Sequence, residues 1–478
     1  MSVEIKKREL EQERMKAALS EGRAICERLK EELHHTPRAA VVTFGCQMNA
    51  RDSEKLQGVL DAVGFDRAAS EAEADFIIYN TCTVRENADV RVFGRLGVLN
   101  GYKKKNPALK IALCGCMMQE QIVIDKIQKS YPFVDLIFGT HNLYKFAELL
   151  VTMYASDRMV IDVWQESSEI VEDLPVSRKY SFKSGVNIMF GCDNFCSYCI
   201  VPYVRGRERS READEILREV RALAEDGVKE VMLLGQNVNS YGNDFVKQGR
   251  EDVLTFPKLL REVCRVDGIE RVRFMSSHPK DLSDELIGVM REEDKVARHL
   301  HLALQSGSDR ILKQMNRHYT KEDFLTLVRK IRSSIPDMAI TTDIIVGFPG
   351  ETKEDVDETI DVIEKAQFDN AFTFIYSKRS GTPAATYETV MSEDEVSVQF
   401  QRVLKAVQDN ARLKAQGLEG QIVRVLVEEV NEKDADYLTG RMSNNTLVHF
   451  KGGKRLIGEM IDVKLTDNKG FYYLGERR

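Results

Sequence analysis

Six of the nine cysteines are spaced for chemistry. Cys192, Cys196 and Cys199 form the run Gly191-Cys192-Asp193-Asn194-Phe195-Cys196-Ser197-Tyr198-Cys199, a C-x3-C-x2-C spacing. Three thiolates that close can each hold one iron of a 4Fe–4S cube and leave the fourth iron open to a non-protein ligand. A structural zinc takes four ligands, and this run supplies three with no histidine beside it. Zinc or chance buried thiols stay open as the competing reading. Cys46, Cys82 and Cys116 are far apart in sequence, but each follows a short aliphatic run that reads as a β-strand. In a parallel α/β sheet the carboxyl ends of the strands share one edge, where ligands bind. Three thiols at three such ends can converge on a second cube; the alternative is three separate buried thiols. Cys26, Cys114 and Cys264 scatter over strands and helices and are expected to pack in the core.

The elements that must position these thiols follow from length and pattern. The chain has 478 residues, 43% hydrophobic and 30% charged, with a net charge of −7. That length suggests about three domains, each able to bury a core without disulfides. The composition excludes a collagenous or wholly disordered chain. No apolar run reaches the ~18 residues of a membrane span, and the charged first thirty residues show no signal-peptide core. A soluble, cytoplasmic protein is expected, without membrane partners. An odd cysteine count in a reducing compartment argues against a disulfide framework.

The pattern predicts an α/β protein in five segments. Residues 1–37 form a charged helical extension. Residues 38–155 alternate strand and helix, with strands expected at Val41–Gly45, Phe76–Thr81, Ile111–Gly115 and Leu136–Gly139. This is a Rossmann-like or flavodoxin-like domain. Residues 156–177 read as a linker or wrapping segment. Residues 178–410 carry six βα units, with strands expected at Val186–Phe190, Glu230–Leu234, Arg271–Ser276, His299–Leu304, Ile340–Val346 and Phe372–Tyr376. Six units make a partial barrel whose site lies at the carboxyl ends of its strands. Residues 411–478 read as a small all-β barrel of short strands separated by Gly and Asn turns.

The C-x3-C-x-aromatic-C spacing after the first central strand resembles the radical S-adenosylmethionine (SAM) superfamily, with Tyr198 in the aromatic place. The resemblance implies that Cys192, Cys196 and Cys199 bind a 4Fe–4S cluster whose open iron takes SAM. It also implies cofactor contacts at the ends of later strands, at Gln236 and Asn237, at Gln305 and Ser306, and at Gly347 in Gly347-Phe348-Pro349-Gly350. At the end of the second central strand the superfamily has a Gly-Gly-Glu-like segment, from which Gly235-Gln236-Asn237 departs. Gly45-Cys46-Gln47-Met48-Asn49, Asn80-Thr81-Cys82-Thr83-Val84-Arg85-Glu86-Asn87 and Cys114-Gly115-Cys116-Met117 look like the methylthiotransferase family of these enzymes, MiaB type. So do Phe138-Gly139-Thr140-His141-Asn142, Pro202-Tyr203-Val204-Arg205-Gly206, Gly235-Gln236-Asn237-Val238-Asn239 and Ser276-Ser277-His278-Pro279.

That family resemblance covers nearly the whole chain after about residue 38. It implies a second 4Fe–4S cluster on Cys46, Cys82 and Cys116, which carries the sulfur. It implies methylthiolation of N6-(dimethylallyl)adenosine at position 37 of tRNA, at the expense of two SAM. The C-terminal domain is similar to a TRAM domain, associated with RNA binding. Its twelve Lys/Arg against ten Asp/Glu make it mildly basic in an acidic chain. Lys451, Lys454, Arg455, Arg477 and Arg478 are candidates for phosphate contact, with a solvated charged face as the alternative. Tyr203, Arg205 and Arg207, followed by Arg209 and Arg211, are candidates for substrate RNA, with pairing to nearby carboxylates as the alternative. The expected partners are a tRNA anticodon stem-loop and a flavodoxin or ferredoxin as electron donor, with the enzyme a monomer. The catalytic acceptor of the C2 proton has no candidate. Two other targets compete, a threonylcarbamoyl-adenosine tRNA and a ribosomal-protein aspartate. Gln47-Met48-Asn49 and Arg85-Glu86-Asn87 favour the dimethylallyl substrate by resemblance. A non-catalytic, zinc-bearing RNA-binding protein is the reading from another class.

Overall fold

The computed structural model describes residues 3–83, 86–166 and 169–478; the side chains of 3–9 and 86–90 are not described. Val84 and Arg85 of the motif after Cys82 lie outside the described residues. The chain divides into two compact units.

The first unit holds Met1–Lys179 with two later pieces, Phe190–Asp193 and Ile200–Arg209. Its centre is a parallel sheet in the order Asp66–Arg67, Arg38–Thr43, Phe76–Thr81, Lys110–Gly115, Leu136–Phe138, Val160–Asp162. The chain leaves the first strand to one side and returns to its other side, which is the flavodoxin-type order. Side chains alternate across the sheet. Phe76, Ile78, Ala112 and Cys114 face one apolar layer. Ile77, Tyr79, Ile111 and Leu113 face the other. The charged N-terminal helix Val3–Leu33 belongs to the first layer, burying Ala18 and Cys26 with Val63 and Leu150. The segment after 156, expected as a linker, contributes the sixth strand, Val160–Asp162. Further on it wraps the unit: a Cβ on Gly58 would lie 2.4 Å from the Pro175 backbone.

In the second unit, six parallel strands run in two groups of three. Lys183–Asn187, Glu230–Leu234 and Arg271–Phe274 form one; His299–His301, Ala339–Val346 and Asn370–Ile375 form the other. Single bridges, Val272 to Val296 and Ser277 to Leu302, join them into an open arc. Val186, Val231, Val272, Leu300 and Ile340 pack outward against the helices. The fourth strand stops at His301, short of the expected Leu304. Beyond it the chain meets its neighbours only at single bridges, and Gln305 takes a left-handed conformation (φ 74°) that no regular strand allows.

A closed five-stranded barrel ends this unit, in the order Ile422–Val430, Tyr437–Met442, Leu447–Lys451, Tyr472–Arg477, Met460–Asn468. It is fastened to the arc by arginines that alternate with core residues on one strand. Arg271 and Arg273 are buried and share the buried Glu230 carboxylate at 3.3 and 3.0 Å. They also donate to backbone carbonyls of the small barrel: Arg271 to Arg424 and Arg441, Arg273 to Met442 and Ser443. Lys183 pairs with Glu428 at 2.8 Å on the same face.

Candidate functional site

The three N-terminal thiols meet in the first unit. Cys46 and Cys82 follow the two strands that flank the point where the strand order reverses, and Cys116 follows the next strand. A sheet of this order offers a ligand crevice there. Cys46 stands at the N-cap of helix Gln47–Val63, the helix end that favours negative charge. Its thiol donates to Asn49 Oδ1 at 3.2 Å. Asn49 is fully buried and ties two of the cysteine loops together, donating to Asn80 Oδ1 and to the Thr81 carbonyl. Thr81 in turn donates to the Cys114 carbonyl at 2.6 Å. Burial pushes the Cys116 thiol up to about 12; Arg205 opposes that rise, and Cys82 and Cys46 add to it.

Gly115 makes this meeting possible. Residues two apart on a strand share a face, so Cys116 would follow Cys114 into the apolar layer if the strand continued. Instead Gly115 takes φ 96°, ψ −167°, a backbone conformation essentially reserved for glycine. The chain turns, Cys114 stays in the core and Cys116 packs with Ile200 and Val204. A Cβ on Gly115 would lie 2.3 Å from the Thr81 carbonyl oxygen. Gly115→Ala is expected to cost about 1–3 kcal/mol in backbone strain alone. Thermal unfolding will show it as a lowered midpoint.

Arg205, expected at substrate RNA, lies inside this unit instead. Only 6% of it is exposed. Its Nε donates to Cys116 Sγ at 3.2 Å, and its Nη2 reaches Asp52 at 2.9 Å and Asn49 Oδ1 at 3.4 Å. Burial works against its charge, but Cys116, Asp52 and Cys46 hold it charged. Its neighbours differ. Arg207 is exposed and pairs with Asp193 at 2.9 Å, and Tyr203 is exposed. Arg211, in the second unit, is buried against Glu219 and the Asn187 carbonyl. Lys451, Lys454, Arg455, Arg477 and Arg478 are all exposed on the small barrel.

Of the second thiol set, Cys192 falls in the first unit, with its backbone N–H on the Gly206 carbonyl at 3.1 Å. Cys196 and Cys199 fall in the second unit, in a turn closed by the Cys199 N–H on the Cys196 carbonyl at 2.9 Å. That turn is held from the end of helix Asp309–Gln314: Ser197 donates to the Gln314 and Met315 carbonyls, and Asn316 to those of Asn194 and Phe195. Arg317 donates to Cys196 Sγ at 3.4 Å, with its other donors on Tyr319 and the Ala303 carbonyl. Tyr198 packs with Ile311, Met315 and Phe348.

Gln236, Asn237, Gln305, Ser306 and Gly347 all follow carboxyl ends of the arc's strands. Asn237 is buried and engaged by Asp281 at 2.7 Å and the His278 N–H at 3.3 Å. Ser306 is buried and accepts from the Ser308 N–H. Gly347, at φ 77°, donates its N–H to Glu351 at 2.5 Å; burial pushes that carboxyl up to about 8.

The donor chemistry fits iron–sulfur ligation. No disulfide forms among the described residues, and both sets consist of thiols alone. Among the described residues no three His, Cys, Asp or Glu side chains close on a single ion. A cube asks less than that, because each thiolate takes its own iron. Sequence reasoning missed Asn49, Asp52 and Arg317. Asn49 and Asp52 carried a signal, since they follow Cys46 at three and six positions on one helix.

Comparison with known proteins is specific. Residues 38–139 match the uncharacterized protein family UPF0004, residues 186–363 the radical SAM superfamily and residues 416–476 the TRAM domain. A tRNA-2-methylthio-N(6)-dimethylallyladenosine synthase of Lachnoclostridium phytofermentans is 56% identical, over 95% of this chain and 98% of the relative. A protein of the same name from Clostridium tetani is 52% identical, over 91% of this chain and 95% of the relative. Among solved structures, the radical SAM methyltransferase TsrM from Kitasatospora setae aligns with a TM-score of 0.52 at 14% identity. The alignment covers 73% of this chain and 77% of that one, a likeness of fold. With relatives this similar along nearly its whole length, the chain belongs to the tRNA-2-methylthio-N6-dimethylallyladenosine synthase family of radical SAM proteins.

Proposed function

We propose that the protein methylthiolates C2 of N6-(dimethylallyl)adenosine at position 37 of tRNA, using SAM and two 4Fe–4S clusters. The observation that carries this reading is the placement of Cys46, Cys82 and Cys116 after the carboxyl ends of three neighbouring strands of one sheet, in a chain whose Cys192, Cys196 and Cys199 fall within the radical SAM match. C2 of adenine is an unactivated C–H carbon, beyond ordinary acid–base chemistry. A second thiol set is what sulfur delivery adds to radical chemistry.

When bound, the clusters supply the electron that splits SAM and the sulfur that the base receives. Cys192, Cys196 and Cys199 would hold the first and Cys46, Cys82 and Cys116 the second. Gln236, Asn237, Gln305, Ser306 and Gly347 would orient SAM over the strand ends, with Tyr198 packed behind the cluster loop. Asn237 has its side-chain donor on Asp281, so its part is to shape the wall. Tyr203 and Arg207 are exposed and would meet the RNA, as would Lys451, Lys454 and Arg455 on the small barrel. A flavodoxin or ferredoxin would deliver the electron to a monomeric enzyme in the cytoplasm. Among the described residues no helix is long and apolar enough to cross a membrane.

Mass spectrometry of tRNA from cells lacking the protein tests the reading. The methylthio derivative should disappear while unmodified dimethylallyl-adenosine accumulates. Unchanged methylthiolation of that base would overturn the target. Loss on threonylcarbamoyl-adenosine instead would move the activity there.

A further inference from the structure

Arg205 is a costly residue to bury. A guanidinium removed from water needs a charge partner and filled donors. Its charge partner is Asp52, itself 7% exposed, at 2.9 Å, and its Nε–H is placed on Cys116 Sγ at 3.2 Å. Asn49 Oδ1, which accepts from the Cys46 thiol at 3.2 Å, completes the fork at 3.4 Å. One cation thus touches one cysteine directly and a second through a shared amide. All four residues lie within the first unit. An RNA-binding arginine would be exposed, as Arg207 is.

We propose that Arg205 is a positioning residue for the sulfur-carrying cluster. Its Nε–H bonds the Cys116 sulfur and sets that cluster's reduction potential, and Asp52 limits how far. The inference rests on the reading of Cys46, Cys82 and Cys116 as cluster ligands. Hydrogen bonds to the sulfurs and local charge are the levers by which a protein moves an iron–sulfur potential. A donor and a positive charge beside Cys116 favour the reduced, more negative cluster. The Asp52 carboxylate opposes this. The two groups therefore act with opposite sign on one couple. A purely structural salt bridge has no such property, because losing either partner loosens the site in the same way.

The test uses the full chain with Cys192, Cys196 and Cys199 replaced by Ala, so that one cluster remains to be titrated. Iron and sulfide analysis comes first, and electron paramagnetic resonance at controlled potential follows. Arg205→Gln should make the cluster harder to reduce by at least tenfold in the equilibrium, which is about 59 mV for one electron. Asp52→Asn, nearly isosteric, should make it easier to reduce. Arg205→Lys should restore part of the shift by returning the charge. Shifts of the same sign in Arg205→Gln and Asp52→Asn, or no shift with iron retained, would overturn the proposal. Failure of the parent protein to hold about four irons would overturn the cluster assignment itself.

Discussion

Alanine at Cys192, Cys196 and Cys199 together is expected to reduce 5′-deoxyadenosine formation to background. Alanine at Cys46, Cys82 and Cys116 should leave SAM cleavage in place while no methylthio product forms. The two sets are separable because Cys196 and Cys199 sit in the second unit, while Cys46, Cys82 and Cys116 sit in the first. The N-terminal thiols are held by the flavodoxin-type sheet and the turn at Gly115. Cys196 and Cys199 are held by the Ser197 and Asn316 bonds to the arc's own loops. Each triple variant should retain about four of the eight irons that reconstitution loads. Chromatography of the nucleosides and of deoxyadenosine reads both activities in one reaction. Methylthio product from the N-terminal triple variant would remove those cysteines from sulfur delivery. Zinc in place of iron and sulfide in the parent would remove the radical chemistry altogether.

Glu230→Ala should be the most damaging single change away from the cysteines. It strands Arg271 and Arg273, both buried, without the carboxylate they share, leaving backbone carbonyls and, for Arg271, Glu428 to meet their charge. Burial and the adjacent Arg273 already push Arg271 down to about 10, with Glu230 working against them. Removing one side of a buried ion pair costs about 3–5 kcal/mol. Arg424→Ala, which breaks the exposed pair with Glu270, should cost under about 1 kcal/mol. Urea unfolding of both variants gives the comparison. Because Arg271 and Arg273 also grip the carbonyls at 424 and 441–443, limited proteolysis should release the small barrel faster in Glu230→Ala. Equal unfolding of the two variants would show that the barrel is fastened elsewhere.

Strands with a continuous apolar run were legible to the residue: Phe76–Thr81 and Glu230–Leu234. Asp66–Arg67 and Val160–Asp162 were not, because two or three residues at a sheet edge carry too little pattern to separate from loop. The cysteine convergence was legible because topology alone brings strand ends to one edge. The fate of the arginines was not. Arg205, Arg207, Arg209 and Arg211 alternate evenly, which reads as one basic face. The chain breaks that period with helix Val201–Arg205 and short strand Arg209–Ser210, and Arg205 and Arg211 are buried while Arg207 is exposed. The burial of Arg205 depends on Asp52 and Cys116, more than eighty residues upstream.

The return of Ile200–Arg209 to the first unit bears on how the protein is made. A chain emerges from the ribosome N-terminus first, at about 5–20 residues per second. Cys46, Cys82 and Cys116 are therefore synthesised well before the residue that bonds one of them. Until position 205 has emerged, Asp52 has no buried cation to meet, and an unpaired buried carboxylate is costly. The nascent sheet edge is best left open to water at that stage. On the proposed reading, the N-terminal set would be closed over only after the central cysteines, which precede position 205, have also appeared. A fragment ending at the sheet's last strand would contain all three thiols and still lack the residue that closes over them.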